Sequence, residues 1–294
     1  MPNPNLKHST RHSVVAIMLR FRSLSIVAVT LAMCGVVIAE DKEDSSKTLS
    51  AEALKAFQAE AAEYVIRHEG INKSFRLKTD PILRWTNPVR EGQDGAVFLW
   101  TLNERPEVIG CCFTYPVSGI VYRKHQLHSL STKPLLAKVD GAVVWQPREA
   151  GLRFAAIPKA KAPAKTPARQ MIQMRQLARR FAVRIENSDQ QRSELRLMPT
   201  PLATYTPKNE ECAAGALFSF AQGTDPDAIL VIENRMVNSV PTWTWAFARF
   251  HYDKLTATLD DKPVWTVRGE IGMKRDFRSK SQFRNSTYVS FKPQ

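Results

Sequence analysis

The stretch "GAVFLWTLNERPEVI" (residues 95–109) has a near copy in "GALFSFAQGTDPDAI" (residues 215–229), 120 positions later. The match continues without a gap on both sides. At the same offset stand Pro81 and Pro201, Trp85 and Tyr205, Phe98 and Phe218, Pro106 and Pro226, Asp140 and Asp260, Trp145 and Trp265, and Arg148 and Arg268. Chance rarely aligns tryptophan, glycine, proline and their apolar neighbours in one register. The sequence therefore predicts two copies of one structural unit.

Each copy opens with an apolar stripe at helical spacing. In residues 50–68, where Ser50 suits an N-cap and Gly70 an end, the stripe comprises Leu54, Phe57, Ala61, Tyr64 and Val65. In residues 168–186 it comprises Met174, Leu177, Phe181 and Ile185. We therefore expect one helix at the start of each copy.

Strand-like segments follow each helix. In the first copy they are "SFRLKTDPILRW", "AVFLWTL", "PEVIGCCFTY", "GIVYRKHQLHSLS", "PLLAKV" and "AVVWQP". Asp140 and Gly141 suit a two-residue hairpin turn, and Asp260 and Asp261 stand at the same place in the second copy. We predict an α+β fold: a tandem duplication of one helix followed by a five- or six-stranded curved antiparallel sheet. A single sheet shared by both halves fits the same pattern.

The N-terminal segment is typical of a secretory signal peptide. Arg20 and Arg22 precede the uncharged stretch "SLSIVAVTLAMCGVVIA", which "EDKEDSS" follows. We expect cleavage after Ala39, export to the periplasm or the extracellular space, and no transmembrane span afterwards. An uncleaved anchor is the alternative, although the apolar run is shorter than the ~20 residues a spanning helix needs. Either Met1 or Met18 fits as the start.

The predicted organisation has five parts: signal peptide 1–39, first α+β repeat 40–157, Pro/Lys-rich linker 158–169, second α+β repeat 170–270 and basic C-terminal extension 271–294. The linker "PKAKAPAKTPAR" reads as extended chain. In the extension, basic residues alternate with aromatic ones, which suits either a polyanion surface or a solvated tail whose final "STYVSFK" adds an edge strand.

Three cysteines follow the signal peptide: Cys111, Cys112 and Cys212. An oxidising compartment allows one disulfide, and neighbours in sequence rarely pair, so Cys212 would bond with Cys111 or Cys112. Three buried, reduced cysteines are the alternative. No second CxxC and no His-x-His pair completes a zinc site, so no metal and no cofactor are expected.

The chain has a net positive charge. Its formal charge of +14 falls to +10 once residues 1–39, with four cations and no acid, are removed. A cationic exported protein attracts envelope polymers, lipid headgroups or nucleic acid. No serine elbow, paired-carboxylate signature, HExxH or phosphate-binding glycine loop occurs. This favours a non-catalytic binding or scaffolding module of the cell envelope for an anionic or carbohydrate polymer, rather than a nucleic-acid-binding protein. The oligomeric state is not indicated.

Candidate site residues are expected where the two copies differ. His125 and His128 are three apart, which on a strand places them on opposite faces. The second copy has Trp245 and Ala248 at these positions. A hydrolase or transferase that uses either histidine with a nearby carboxylate is the alternative function.

A second candidate is the stretch "PTWTWAFARFHY" (residues 241–252). Trp243, Trp245 and Phe247 alternate and so share one strand face, which Arg249 and His251 continue. An exposed row of this kind would stack on sugar rings, whereas a buried row would belong to the core.

Four segments carry a resemblance: "WTNPVREGQDGAVFLWT", "HSLST", "VVWQP" and "FAQGTDP". With them the chain resembles a group of exported bacterial proteins to which no function is assigned. The resemblance implies export and duplication, and it implies no catalytic residue.

Overall fold

Residues 51–87, 93–117, 120–208, 211–269, 281–282 and 286–291 are described by the structure, which is a computed structural model. For residues 116–117, 120, 281–282 and 286–291 the description covers the backbone alone. All of them belong to one compact unit, Asp44–Gln294. The predicted signal peptide, the cap at Ser50 and most of the basic extension lie outside the described residues.

In the first half a helix precedes a series of strands. These are α1 (Ala51–Ala62), β1 (Val65–His68), β2 (Arg76–Asn87), β3 (Gln93–Leu102), β4 (Arg105–Val117), β5 (Ile120–Ser129), β6 (Leu135–Val139), β7 (Ala142–Trp145) and β8 (Ala155–Ala156). All six strand segments expected from the sequence of this half are strands in the structure.

The second half repeats this succession, and two strands of the extension follow it. The elements are α2 (Pro167–Ala178), β9 (Phe181–Glu186), β10 (Arg192–Leu197), β11 (Ala203–Tyr205), β12 (Cys212–Ala221), β13 (Ala228–Val237), β14 (Val240–Arg249), β15 (Lys254–Leu259), β16 (Lys262–Val267), β17 (Ser281–Gln282) and β18 (Ser286–Phe291). Neither α1 nor α2 is long and apolar enough to cross a membrane.

Both halves pair their strands antiparallel and in the same order. The second half forms one curled sheet, β16-β15-β9-β10-β12-β13-β14. The first half runs β7-β6-β1 and then β2-β3-β4-β5, and an isolated bridge between Arg67 and Ser74 spans the break. Each half therefore combines one helix with curled antiparallel strands, which agrees with the predicted α+β class. The predicted single sheet of five or six strands does not hold, because the described strands form sheets of three, six and nine strands.

The halves do not merge into one continuous sheet. Before α2, β8 alone among the described strands joins the second sheet, as an edge strand on β14. In the opposite direction, β18 pairs with β5 at the edge of the first half. The shared-sheet alternative is therefore wrong, whereas the edge-strand interpretation of "STYVSFK" agrees with the structure.

Apolar residues form three clusters in layers. Successive residues of β3 alternate between two of them: Phe98 and Trp100 face α1, and Val97 and Leu99 face the other half. The cluster between the sheets draws on both halves, with Leu217 and other residues of the second sheet opposite Val97. The third cluster lies between α2 and the second sheet. The two sheets therefore pack against each other, and the helices cover their outer faces.

An aromatic ring on the neighbouring strand explains why the two similar segments, residues 95–109 and 215–229, both begin with glycine. Gly95 is paired with Trp85, and Gly215 with Tyr205. A Cβ atom on either glycine would lie 2.4 Å from the ring. The hairpin turns also behave as predicted, because Asp140 and the other central residues of both turns have positive φ.

Both helices end earlier than the apolar stripes predict. Val65–His68 and Phe181–Glu186 are strands, so Val65, Phe181 and Ile185 do not belong to the helices and Gly70 does not end α1. These segments pair with β6 and β15. Their β-branched and aromatic residues suit a strand that alternates buried and exposed positions.

A buried network of charges joins the two halves, and we call it the Arg105 network. The Arg105 Nε donates to Glu233 Oε1 at 2.9 Å, and its Nη1 donates to Glu107 Oε1 at 2.9 Å. Glu107 also contacts His68 Nε2 at 3.3 Å, and Glu233 accepts from Tyr205 Oη at 2.7 Å. Burial alone would raise the pKa of Glu107, but the bonds from His68 and Arg105 bring it below its usual value.

Candidate functional site

The two histidines singled out from the sequence lie on opposite faces of β5, as their spacing predicts. His125 lies under α1, whereas His128 faces the second sheet, its ring centroid 4.7 Å from that of Phe250. Both side chains are buried. They therefore cannot act together on one ligand.

His125 is held by hydrogen bonds at both ring nitrogens. Its Nε2 lies 2.7 Å from Glu60 Oε2, and its Nδ1 lies 2.8 Å from Tyr64 Oη. The other carboxylate oxygen, Glu60 Oε1, forms an ion pair with Arg123 at 2.8 Å. The side chain of Glu60 is 14% exposed and that of His125 is 0% exposed. This pair is thus fixed in orientation and nearly closed to solvent.

Cys112 completes this cluster. It lies directly opposite His125 on the neighbouring strand β4. One ligand atom of each of Glu60, Cys112 and His125 lies within 4.8 Å of those of the other two. We call these three residues, with Tyr64 and Arg123 beside them, the His125 cluster.

Burial sets the protonation of two members of the cluster. It raises the pKa of Tyr64, and the nearby Cys112, Glu60 and Glu63 act in the same direction. Burial likewise holds the pKa of the Cys112 thiol well above its usual value, with Cys111, Glu60 and Glu63 as further causes. At neutral pH the phenol and the thiol are both protonated. Cys112 is therefore not an activated nucleophile in this state.

The second half has apolar residues where the cluster stands. Ile66 pairs with Ala137 in the first half and Val183 with Ala257 in the second, which aligns the helices and the strands after them. The residues equivalent to Glu60, Tyr64, Cys112 and His125 are Leu177, Phe181, Ile232 and Trp245, all members of the buried apolar core. The polar cluster is therefore specific to the first half.

Arg249 and His128 have structural surroundings at the interface of the halves. The guanidinium of Arg249 donates to the carbonyl oxygens of His251, Tyr252 and Asp253. Burial holds the pKa of His128 well below its usual value, and Arg249 and His251 nearby lower it further. A neutral His128 beside the Arg249 guanidinium does not resemble an acid–base pair with a carboxylate.

The aromatic row of β14 belongs to the core. Trp243 is 1% exposed and Trp245 is 8% exposed, and Phe247 packs between Trp245 and Trp265. Sugar stacking needs an open ring face, and these rings present none. The sugar-binding interpretation of Trp243 and Trp245 is therefore not retained.

The three cysteines among the described residues form no disulfide. Cys111, Cys112 and Cys212 are all reduced and buried. Cys111 belongs to the cluster between the sheets, whereas Cys112 faces α1. The predicted bond from Cys212 to either of them is wrong, and the alternative of buried reduced cysteines holds. Burial raises the pKa of Cys212 to about 12.

A groove of about 800 Å³ lies beside α2 in the second half. It runs between the first turns of the helix and the segment 200–206 with the start of β12. Cationic and polar side chains line it together with apolar ones: Lys165, Gln170, Arg175, Thr200, Thr204 and Thr206, and Met171, Met174 and Leu202. The segment predicted as a linker is held here, because Gln173 bonds to the backbone of Ala162 and Ala164.

No family model, curated protein or solved structure matches the chain. The candidate sites therefore depend on their geometry. The sequence singled out His125 but missed Glu60, Tyr64 and Arg123 and saw Cys112 as a disulfide partner. The available signal was the comparison of the two halves at an offset of 120 residues, which places Ile232 and Trp245 at the positions of Cys112 and His125.

Proposed function

We propose that the protein is an exported, non-catalytic binding or scaffolding module of the cell envelope with affinity for an anionic polymer. It arose by tandem duplication of one helix with its curved sheet, and a signal peptide that ends at Ala39 directs it out of the cytoplasm. The common strand order supports the duplication, as do the equivalent aromatic–glycine pairs Trp85–Gly95 and Tyr205–Gly215.

The observation that carries the binding proposal is the charge around α2. Residues 158–180 contain seven lysines and arginines and no acid, whereas α1 carries Glu52 and Glu60. Lys165, Arg169 and Arg175 are exposed, and Lys165 and Arg175 line the groove. The N-terminal end of α2 adds its dipole to this field. An anionic chain could therefore follow the helix and place its side groups among the hydroxyls of the groove.

The test is binding of poly-L-glutamate by the chain that begins at Glu40. A basic side chain near an anionic surface contributes about 1 kcal/mol. Lys165→Gln, Arg169→Gln and Arg175→Gln together should therefore weaken binding about 100-fold. The control is the triple variant Lys55→Gln, Arg84→Gln and Lys133→Gln, which removes the same charge from exposed positions of the first half.

Dextran serves as the neutral carbohydrate polymer in the same assay. We expect poly-L-glutamate to bind with an affinity that falls steeply with added salt, and dextran to bind weakly or not at all. Equal losses in both triple variants, or absence of binding to poly-L-glutamate, would contradict the proposal.

A second candidate function, a hydrolase or transferase, is favoured by one observation. His125 and Glu60 are in hydrogen-bond contact at 2.7 Å, the arrangement of a general base and its orienting carboxylate. Turnover of p-nitrophenyl acetate or phosphate, lost in His125→Gln, would support it. The burial of His125 argues against it, because a substrate could reach the ring only after α1 moves.

A further inference from the structure

We propose that Glu60, Cys112 and His125 bind one Zn²⁺ ion between α1 and the first sheet. The site is independent of the polymer-binding function and lies in the other half of the molecule. Three different elements supply its ligands, which is why no short sequence motif announces it.

The donor set suits zinc. Zinc binds imidazole nitrogen, thiolate sulfur and carboxylate oxygen, and three protein ligands leave a fourth position for water or another small ligand. A donor set of nitrogen, oxygen and sulfur also favours zinc over Mg²⁺ and Ca²⁺, which prefer oxygen ligands. The three donor atoms already lie within 4.8 Å of one another.

The change needed to admit the ion is small. Two ligands at about 2.0–2.1 Å from a tetrahedral zinc lie about 3.3 Å apart. The contact between His125 Nε2 and Glu60 Oε2, 2.7 Å, would have to open by about 0.6 Å. Glu60 lies near the end of α1 and its side chain is partly exposed, so it can make this adjustment.

Neighbouring residues orient the ligands as in known zinc sites. For Nε2 to bind the metal, the imidazole proton must lie on Nδ1, which then donates it to Tyr64 Oη, and the metal replaces the contact between Nε2 and Glu60. Arg123 occupies Glu60 Oε1, which leaves Oε2 for the metal. Partners of this kind fix the direction of the ligands, and their loss typically costs 10–100-fold in metal affinity.

Charge is balanced when the ion enters. Cys112 loses its proton to solvent as sulfur bonds to zinc, so the thiolate and the Glu60 carboxylate together offset the charge of Zn²⁺. Binding should therefore release at least one proton per ion. The apolar equivalents in the second half show that the fold itself does not need polar residues at these positions.

The test uses untagged chain beginning at Glu40, titrated with Co²⁺ as a spectroscopic substitute and then with Zn²⁺. We expect one Co²⁺ per chain, visible d–d bands of a four-coordinate site and a near-ultraviolet sulfur-to-cobalt band, all displaced by Zn²⁺. Cys112→Ser should remove the sulfur band. Cys111→Ser is the matched control, because that side chain faces the other half, and it should leave the spectrum unchanged.

Two more variants keep the result decisive. Tyr64→Phe should weaken Zn²⁺ binding 10–100-fold without removing the sulfur band, and His125→Gln should abolish stoichiometric binding. Circular dichroism checks that each variant is folded. Absence of stoichiometric Co²⁺ uptake by the folded chain, or a sulfur band that persists in Cys112→Ser, would overturn the site.

Discussion

Replacing Arg105 with methionine tests whether the Arg105 network stabilises the contact between the halves. The side chain of Arg105 is 6% exposed and that of Glu233 is 0% exposed. Methionine retains the aliphatic bulk but leaves Glu233 and Glu107 without their shared partner. Loss of one member of a buried ion pair costs about 3–5 kcal/mol. Glu233 keeps its ion pair with Arg235 at 2.7 Å and its bond from Tyr205, and Glu107 keeps its contact with His68, so we expect a loss no larger than the lower limit, about 3 kcal/mol.

Urea unfolding at pH 7, followed by tryptophan fluorescence, measures this loss in the chain beginning at Glu40. In thermal unfolding of the same chain the Tm should fall by about 6–12 °C, because 1 kcal/mol corresponds to about 2–4 °C for a chain of this size. Arg192→Met is the control, because its ion pair with Glu186 lies at the surface and should contribute less than about 1 kcal/mol. If Arg105→Met lowers the free energy of unfolding no more than this control does, the network does not stabilise the interface.

Two further predictions concern stability. Gly95→Ala places a Cβ atom against the Trp85 ring and should cost about 1–3 kcal/mol; urea unfolding should show a smaller cost in a Trp85→Ala background, and an equal cost would contradict the steric explanation. Because burial, Arg249 and His251 lower the pKa of His128, the unfolded chain takes up a proton below about pH 6.5 that the folded chain does not. As the pH is lowered below about 6.5, the free energy of unfolding should therefore decrease by up to about 1.4 kcal/mol per pH unit. His128→Gln, measured by urea unfolding between pH 5 and 7, should reduce this slope. An unchanged slope would refute the assignment.

Local signals in the sequence were enough to predict the strands and the hairpin turns. The residues at Asp140 and Asp260 have the positive φ that a tight hairpin demands, and the apolar segments of the first half became β2 to β7. The helix ends were missed, because Tyr64 and Phe181 continue the helical stripe although the chain has already left the helix. Both a helical period and a strand period place Tyr64 and Phe181 on the side that faces the core. Periodicity alone therefore does not distinguish a helix from a strand at these positions.

The candidate site was only partly predictable for a different reason. His125 attracted attention as a polar residue in a strand whose counterpart is tryptophan. Its partners Glu60 and Cys112 come from α1 and β4, and their approach depends on how the helix lies on the curved sheet. The same long-range packing buried Trp243, which the strand alternation alone could have placed on either face.

The second half supplies an internal control for what the His125 cluster is for. Its core has Leu177, Phe181, Ile232 and Trp245 at the equivalent positions, so the fold is compatible with an apolar set. Burying polar groups costs free energy unless every group is paired, and replacing buried polar networks with apolar side chains is often neutral or stabilising by 1–4 kcal/mol. The combined variant Glu60→Leu, Tyr64→Phe, Cys112→Val and His125→Phe, with Arg123→Gln so that no cation remains without its partner Glu60, should therefore fold with unchanged or higher stability in urea unfolding while losing Co²⁺ binding. A loss of more than about 2 kcal/mol would instead mean that the first half depends on these residues for its structure.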